Sequence, residues 1–119
     1  MLKFPHTMIA NEIQRSVVEE MESFSNEEIK RFYRKQNILV DFTNRLMDET
    51  GIISPLQQKF FEMWIPHFAI SEMKREKERE ARKFIYEFCE KLVEFKGLSS
   101  YQFTYILYFI AECYPKKKN

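Results

Sequence analysis

Apolar residues recur at helical spacing along most of the chain. Ile9, Ile13 and Val17 form one stripe, which predicts a first helix over Met8–Glu22. Glu12, Gln14, Arg15 and Glu19 lie off that stripe, and Glu20 falls on it where the helix leaves the core. Ser25-Asn-Glu-Glu reads as a capping box that opens a second helix. That helix should run to Thr50, with Gly51 free to take the left-handed position beyond it. Its apolar side carries Ile29, Phe32, Tyr33, Leu39, Val40, Leu46 and Met47. Arg31, Arg34 and Arg45 project from the other side, with Lys30 and Lys35 at its edges and Ile38 and Phe42 among the arginines.

Ser54-Pro55 is a third start signal, a cap followed by proline at the first helical position. Leu56, Phe60, Phe61, Met63, Trp64 and Phe68 then point in several directions, as in a deeply buried helix. Pro66 removes a helical hydrogen bond and is expected to kink or break the element. Beyond it, His67 to Phe95 reads as one helix of about 40–45 Å, ended by Gly97. Its middle is the run Glu72–Lys83, with six basic and four acidic residues. On a helical wheel Arg75, Arg79 and Arg82 stack on one side, with Phe68 and Tyr86, while Ile70, Ala81, Phe84, Phe88 and Leu92 lie opposite. Pairs such as Glu78 to Arg82 suit a solvated face.

The last predicted helix is apolar nearly all round. Ser99 can cap it, Pro115 ends it, and Glu112 is its one charge. Phe103, Ile106 and Ile110 share one face, and Tyr101, Tyr105 and Tyr108 share the opposite one. Either the tyrosines offer their rings to a partner, or both faces are buried and the hydroxyls reach water.

Composition narrows the class. A chain of 119 residues is one domain with material for a real core, and two glycines and four prolines encode few turns. The expected fold is all-α, a compact bundle of four to five helices with a long kinked helix and an apolar C-terminal helix. Nineteen basic and eighteen acidic residues leave a net charge of +1, so any electrostatic case rests on local distribution. Residues 1–7 hold no apolar run of signal length and no segment suits a membrane span. With two cysteines, Cys89 and Cys113, the expectation is a reducing, cytoplasmic setting.

Little in the pattern suggests catalysis. His6 and His67 lack ligand spacing to a cysteine or carboxylate, and the two glycines are too isolated for a phosphate loop. Glu19-Glu20 and Glu27-Glu28 are sequence neighbours and do not converge as acid and base. No enzyme activity, cofactor or metal is expected. The remaining signal is basic residues beside aromatic ones, a combination suited to a phosphate backbone, with a plain solvated surface as the alternative.

Three stretches resemble the small all-helical subunit of type III-A (Csm-type) CRISPR effector complexes. Ser25-Asn-Glu-Glu-Ile-Lys-Arg-Phe-Tyr is similar to that family's hydroxyl-rich cap followed by an aliphatic residue, a basic pair and an aromatic. Trp64-Ile-Pro-His-Phe-Ala-Ile to Lys74-Arg75 resembles a proline before a short apolar run, then a glycine and an arginine. Phe103–Tyr114 is similar to the closing aromatic helix with its basic tail, here Lys116 to Lys118. Met73 stands where the family has glycine, and Lys30 where it has arginine, a change that loses the bidentate fork.

The resemblance implies a subunit without a catalytic centre. Several copies would stack head to tail beside other CRISPR effector subunits and steady the guide RNA–target RNA duplex through its phosphates. Lys30, Arg31, Arg34, Arg45, Lys74, Arg75, Arg79 and Arg82 are then the candidate RNA contacts, and Tyr101, Tyr105 and Tyr108 the candidate protein interface. Two other classes fit the pattern. One is a small helical protein-binding module, such as a viral or plasmid-borne inhibitor. The other is a helix-turn-helix DNA-binding regulator, with Gln57, Gln58 and Lys59 leading its recognition helix.

Overall fold

A computed structural model describes residues 15–115. The first part of the first predicted helix, with Ile9 and Ile13, lies outside the described residues, as do His6 and the basic tail after Pro115. Among the described residues every regular element is a helix. Helix α1 is seen over residues 15–21, followed by α2 (Asn26–Thr50), α3 (Pro55–Met73), α4 (Ala81–Glu94) and α5 (Ser100–Cys113). The all-α bundle is as the hydrophobic pattern requires.

Three helices start on a serine with a reciprocal cap. At α2 the Ser25 hydroxyl accepts the Glu28 N–H at 3.2 Å, and the Glu28 carboxylate accepts the Ser25 N–H at 3.0 Å. Ser54 with Gln57 and Ser99 with Gln102 repeat the arrangement at α3 and α5. Each box satisfies backbone donors that the first turn leaves without a partner. Gly51 closes α2 with φ 60°, its N–H donating to the Met47 carbonyl.

The long helix from His67 to Phe95 does not form. Helix α3 continues through Pro66, and the chain turns instead at residues 74–80, inside the charge run. Burial decides this. A straight helix would hold Phe61 and Phe88 about 40 Å apart. Folded back, their rings meet edge to face at 5.6 Å, and Phe68 closes on Phe88 at 5.2 Å. Burying two apolar segments outweighs the helix-forming tendency of the charged residues between them.

The main core joins α2 through α5, with Leu39, Phe42, Leu46, Phe61, Ile65, Ile85, Phe88, Leu92 and Ile106 at its centre. A smaller cluster sets Val17 of α1 against Phe32, Ala69, Ile70 and Met73. On α2 the buried stripe is Phe32, Lys35, Leu39, Phe42, Thr43 and Leu46, a run at i, i+3 and i+4 spacing. That corrects the expected face. Phe42 is fully buried against Phe109 and Ile38 packs on the core, whereas Tyr33 and Val40 face outward.

Helix α4 ends at Glu94, and the left-handed residue after it is Lys96 (φ 61°), not Gly97. Gly97 serves another purpose. Its N–H donates to the Leu92 carbonyl at 2.7 Å, and a Cβ there would lie 2.3 Å from the Phe60 ring. Gly97→Ala is therefore expected to cost about 1–3 kcal/mol through overpacking. Lys96→Gly is expected to add about 0.5–1 kcal/mol by relieving the left-handed backbone. Urea unfolding of the two variants checks both signs.

Candidate functional site

The eight candidate basic residues separate into groups of different character. Lys30, Arg31 and Arg34 occupy the first half of α2, with Lys30 and Arg34 exposed and Arg31 half-buried. Lys30 makes a loose contact with Glu27 at 3.7 Å, an exposed pair of small energetic weight. Lys35, next to them, is buried and pairs with Glu78 at 3.2 Å. The Lys35 hydrogen bond and charge hold the Glu78 carboxyl below the usual carboxylate range, and the charges of Arg34 and Arg31 add to this. The first half of α2 thus sets Lys30, Arg31, Arg34 and Lys35 against Glu27, Glu28 and Glu78, a small positive excess. Arg45 lies eleven residues beyond Arg34, about 16 Å along the helix. It bonds Glu49 at 3.2 Å and sits over the Tyr114 ring at 5.5 Å.

The second predicted group does not form a ridge, because residues 74–80 are not helical. Lys74 pairs with Glu20 of α1, and Arg75 lies 3.8 Å from Glu72. Arg79 turns inward. Its guanidinium bonds both oxygens of Glu72, a residue only 4% exposed, and also bonds Glu87 of α4. The Glu72 hydrogen bond, with Glu87 behind it, raises the Arg79 pKa further above its ordinary value. Arg79 is therefore a staple between α3, the turn and α4. Its expected outward position is corrected, since Glu72 is a buried charge that requires a partner.

Arg82 is half-buried on α4, its Nε enclosed without a hydrogen-bond partner. It lines a cleft of about 500 Å³ between α4 and α5 with Lys83, Tyr86 and Glu90, over a floor of Leu107 and Ile110. Cations, carboxylates and apolar groups mix there, so the cleft has no single sign of charge to select a ligand.

The tyrosine stripe is outside. Tyr101 is 77% exposed, Tyr105 45% and Tyr108 75%, while Ile106, Phe109 and Ile110 of the same helix are buried. The alternative in which both faces are internal is thereby overturned for this chain alone. The exposed Tyr33, assigned to the core by pattern, belongs with the accessible aromatics instead.

One polar feature was not anticipated. The amides of Gln57 and Gln102 face each other, each Nε2 donating to the other's Oε1 at 2.7 and 2.9 Å. Gln57 also donates to the Gly97 carbonyl, and Gln102 to the Ile52 carbonyl. The same oxygens accept the Ser54 and Ser99 N–H groups, so two capping boxes are clamped to one another. Gln57 is thus committed within the fold, so the helix-turn-helix alternative loses the first side chain of its recognition helix. The signal was visible as Ser-x-x-Gln twice, but not the pairing of the two.

Burial pushes up the thiols of Cys89 and Cys113, away from the low values that mark a reactive cysteine. Among the described residues no group of three His, Cys, Asp or Glu side chains could hold a metal, and no helix is long and apolar enough to cross a membrane.

Arg79→Ala is expected to destabilise the fold by about 1–3 kcal/mol, because buried Glu72 loses its hydrogen bonds and keeps only the looser Arg75 contact at 3.8 Å. Adding Glu72→Gln should return part of that loss, read by thermal or urea unfolding. The Glu78 carboxyl has a lowered folded-state pKa. Its contribution is present above the ordinary carboxylate range and lost as pH falls through the lowered value. Urea unfolding between neutral and acid pH should show a shallower acid-side loss in Glu78→Gln than in the parent chain.

Compared with protein-family profiles, curated proteins and solved structures, the chain matches none.

Proposed function

We propose that the chain is a non-catalytic small subunit of a type III CRISPR ribonucleoprotein. In this reading the charged start of α2 contacts the backbone of the guide RNA–target RNA duplex, and the tyrosine face of α5 contacts a neighbouring subunit or copy. The observation that carries the reading is the placement of Lys30, Arg31 and Arg34 together on one half of α2, with Lys30 and Arg34 open to solvent. Guanidinium forks there suit phosphate oxygens, and contacts of that kind hold a duplex whose bases are not read. Arg45, Lys74, Arg75 and Arg79 are engaged in internal pairing and Arg82 lines the α4–α5 cleft, so the RNA contact narrows to the α2 group.

The exposed tyrosines favour a second reading, a helical module that docks on a protein partner without nucleic acid. Tyrosine supplies large contact area at low entropic cost, as interface centres require.

Titration of a generic RNA duplex at several salt concentrations separates the two. Arg31→Glu with Arg34→Glu should lower affinity for every sequence alike, and should reduce the salt slope by about 2. Tyr105→Glu should leave RNA affinity intact while abolishing self-association. RNA affinity unchanged by the arginine pair contradicts the ribonucleoprotein reading. Absence of RNA binding, together with capture of a protein partner that Tyr105→Glu prevents, favours the docking module.

A further inference from the structure

The turn between α3 and α4 is unlike the other joints of the fold. Ser25, Gly51 with Ser54, and Gly97 with Ser99 punctuate the chain elsewhere with residues suited to caps and turns. Residues 74–80 read Lys-Arg-Glu-Lys-Glu-Arg-Glu, all good helix formers, with no glycine, proline or short polar residue. Lys74, which closes α3, keeps a right-handed conformation (φ −79°, ψ −8°). Glu80, which opens α4, makes no side-chain cap. Within the terminal turns the charges do not support the helix dipoles, although Lys74 and Glu80 at the caps themselves do. The last turn of α3 has no base, and the first turn of α4 has no acid but carries Arg82 and Lys83.

We propose that residues 74–80 are a hinge that straightens into one helix continuous with α3 and α4, and that the α4–α5 hairpin then docks on a second copy of this chain in a swapped dimer. Straightening removes two poorly completed helix ends. It also places Glu76 with Arg79, Lys77 with Glu80 and Glu80 with Lys83 at i,i+3, which offsets the like pairs Arg75 with Arg79 and Glu76 with Glu80 at i,i+4.

Specific ion pairs hold the bent form. Arg79 reaches Glu72 and Glu87, seven and eight residues away, Lys35 reaches Glu78, and Lys74 reaches Glu20. On a straight helix, residues seven and eight apart are separated by about 10–12 Å of axis, so the Arg79 bridges exist only in the bend. Arg75 stays within one turn of Glu72 in either form and can take over its charge.

The second copy is the matching occupant because the surfaces released are already complementary. Phe88 leaves Phe61 and Phe68, Phe95 leaves its stack on Trp64 at 4.6 Å, Phe109 leaves Phe42, and Gln102 leaves Gln57. A straightened chain cannot remake these contacts within itself. A partner with the same residues can remake each of them, and the exchange closes with two-fold symmetry.

The test is refolding of the full chain from denaturant over a range of protein concentrations, followed by sizing with light scattering. The expected result is a dimer whose fraction grows with concentration during refolding. Glu76→Gly with Lys77→Gly should lower the dimerisation constant on the order of 100-fold and leave the monomer helical, because four glycines then enter the two straightened helices. A second readout places cysteines at Trp64 and Phe95 in a Cys113→Ser background, bridged by a short bifunctional maleimide, with Cys89 shielded by burial. Cross-links should run between chains in the dimer and within the chain in the monomer. A chain that stays monomeric at millimolar concentration overturns the proposal. So does a dimer indifferent to the glycine pair, or one whose cross-links stay within each chain. The glycine pair is read in the otherwise parental sequence, so the decision does not depend on the cysteine variant folding.

Discussion

Arg79 and the buried carboxylate of Glu72 set the path of the chain. Without the fold-back at residues 74–80, the apolar faces of α3 and α4 would point away from each other and the main core could not close. The aromatic contacts of Phe61, Phe68 and Phe88 supply the driving area for that closure. They do not determine where within the charged run the chain turns. The Arg79 guanidinium does so by bonding Glu72 on one side of the turn and Glu87 on the other. A charge buried at the end of α3 is costly unless paired, so the bend and the pair require each other.

A second constraint closes the other end of the bundle. The N-termini of α3 and α5 approach one another, which sets two positive dipole ends side by side. Glutamine suits this position because each amide brings an acceptor for its own helix and a donor for the opposite turn. The Gln57–Gln102 pair thereby fixes the loop at Ile52 and the loop at Gly97 with uncharged groups. Two carboxylates here would repel each other and lack the donors that the loop carbonyls need. At the third capping box, where the Arg31 charge lies near, a glutamate occupies the equivalent position as Glu28.

Much of this was legible in the sequence. Ser25, Ser54 and Ser99 marked three helix starts, and Gly51 marked an end, because caps are local chemistry with a short sequence signature. The faces of α4 and α5 were also legible, since Phe84, Phe88 and Leu92 recur at one spacing and the three tyrosines at another. The turn at 74–80 was not. Its residues favour helix, and what bends them is contact between segments far apart in sequence. Pro66 does not break α3, because a helix packed on both sides of a proline tolerates one lost hydrogen bond. The face of α2 was rotated for a related reason. Tyr33 and Val40 look apolar on paper, but the stripe through Phe32, Leu39 and Phe42 buries more surface. Of the candidate site, the tyrosines and the α2 cations could be read from spacing. The inward turn of Arg79 could not, because it depends on which carboxylate the fold buries.

The surfaces that remain are few. Cations gather on the first half of α2, tyrosines on the outer side of α5, and the charge run between α3 and α4 is largely spent on internal pairing. Arginine-selective modification with phenylglyoxal, read by mass spectrometry with and without an RNA duplex, tests this division most directly. The account predicts that Arg31 and Arg34 react in the free protein and are protected by RNA, while Arg79 is unreactive in both states. Free reaction of Arg79, with RNA protection there and none at Arg31 or Arg34, would contradict it.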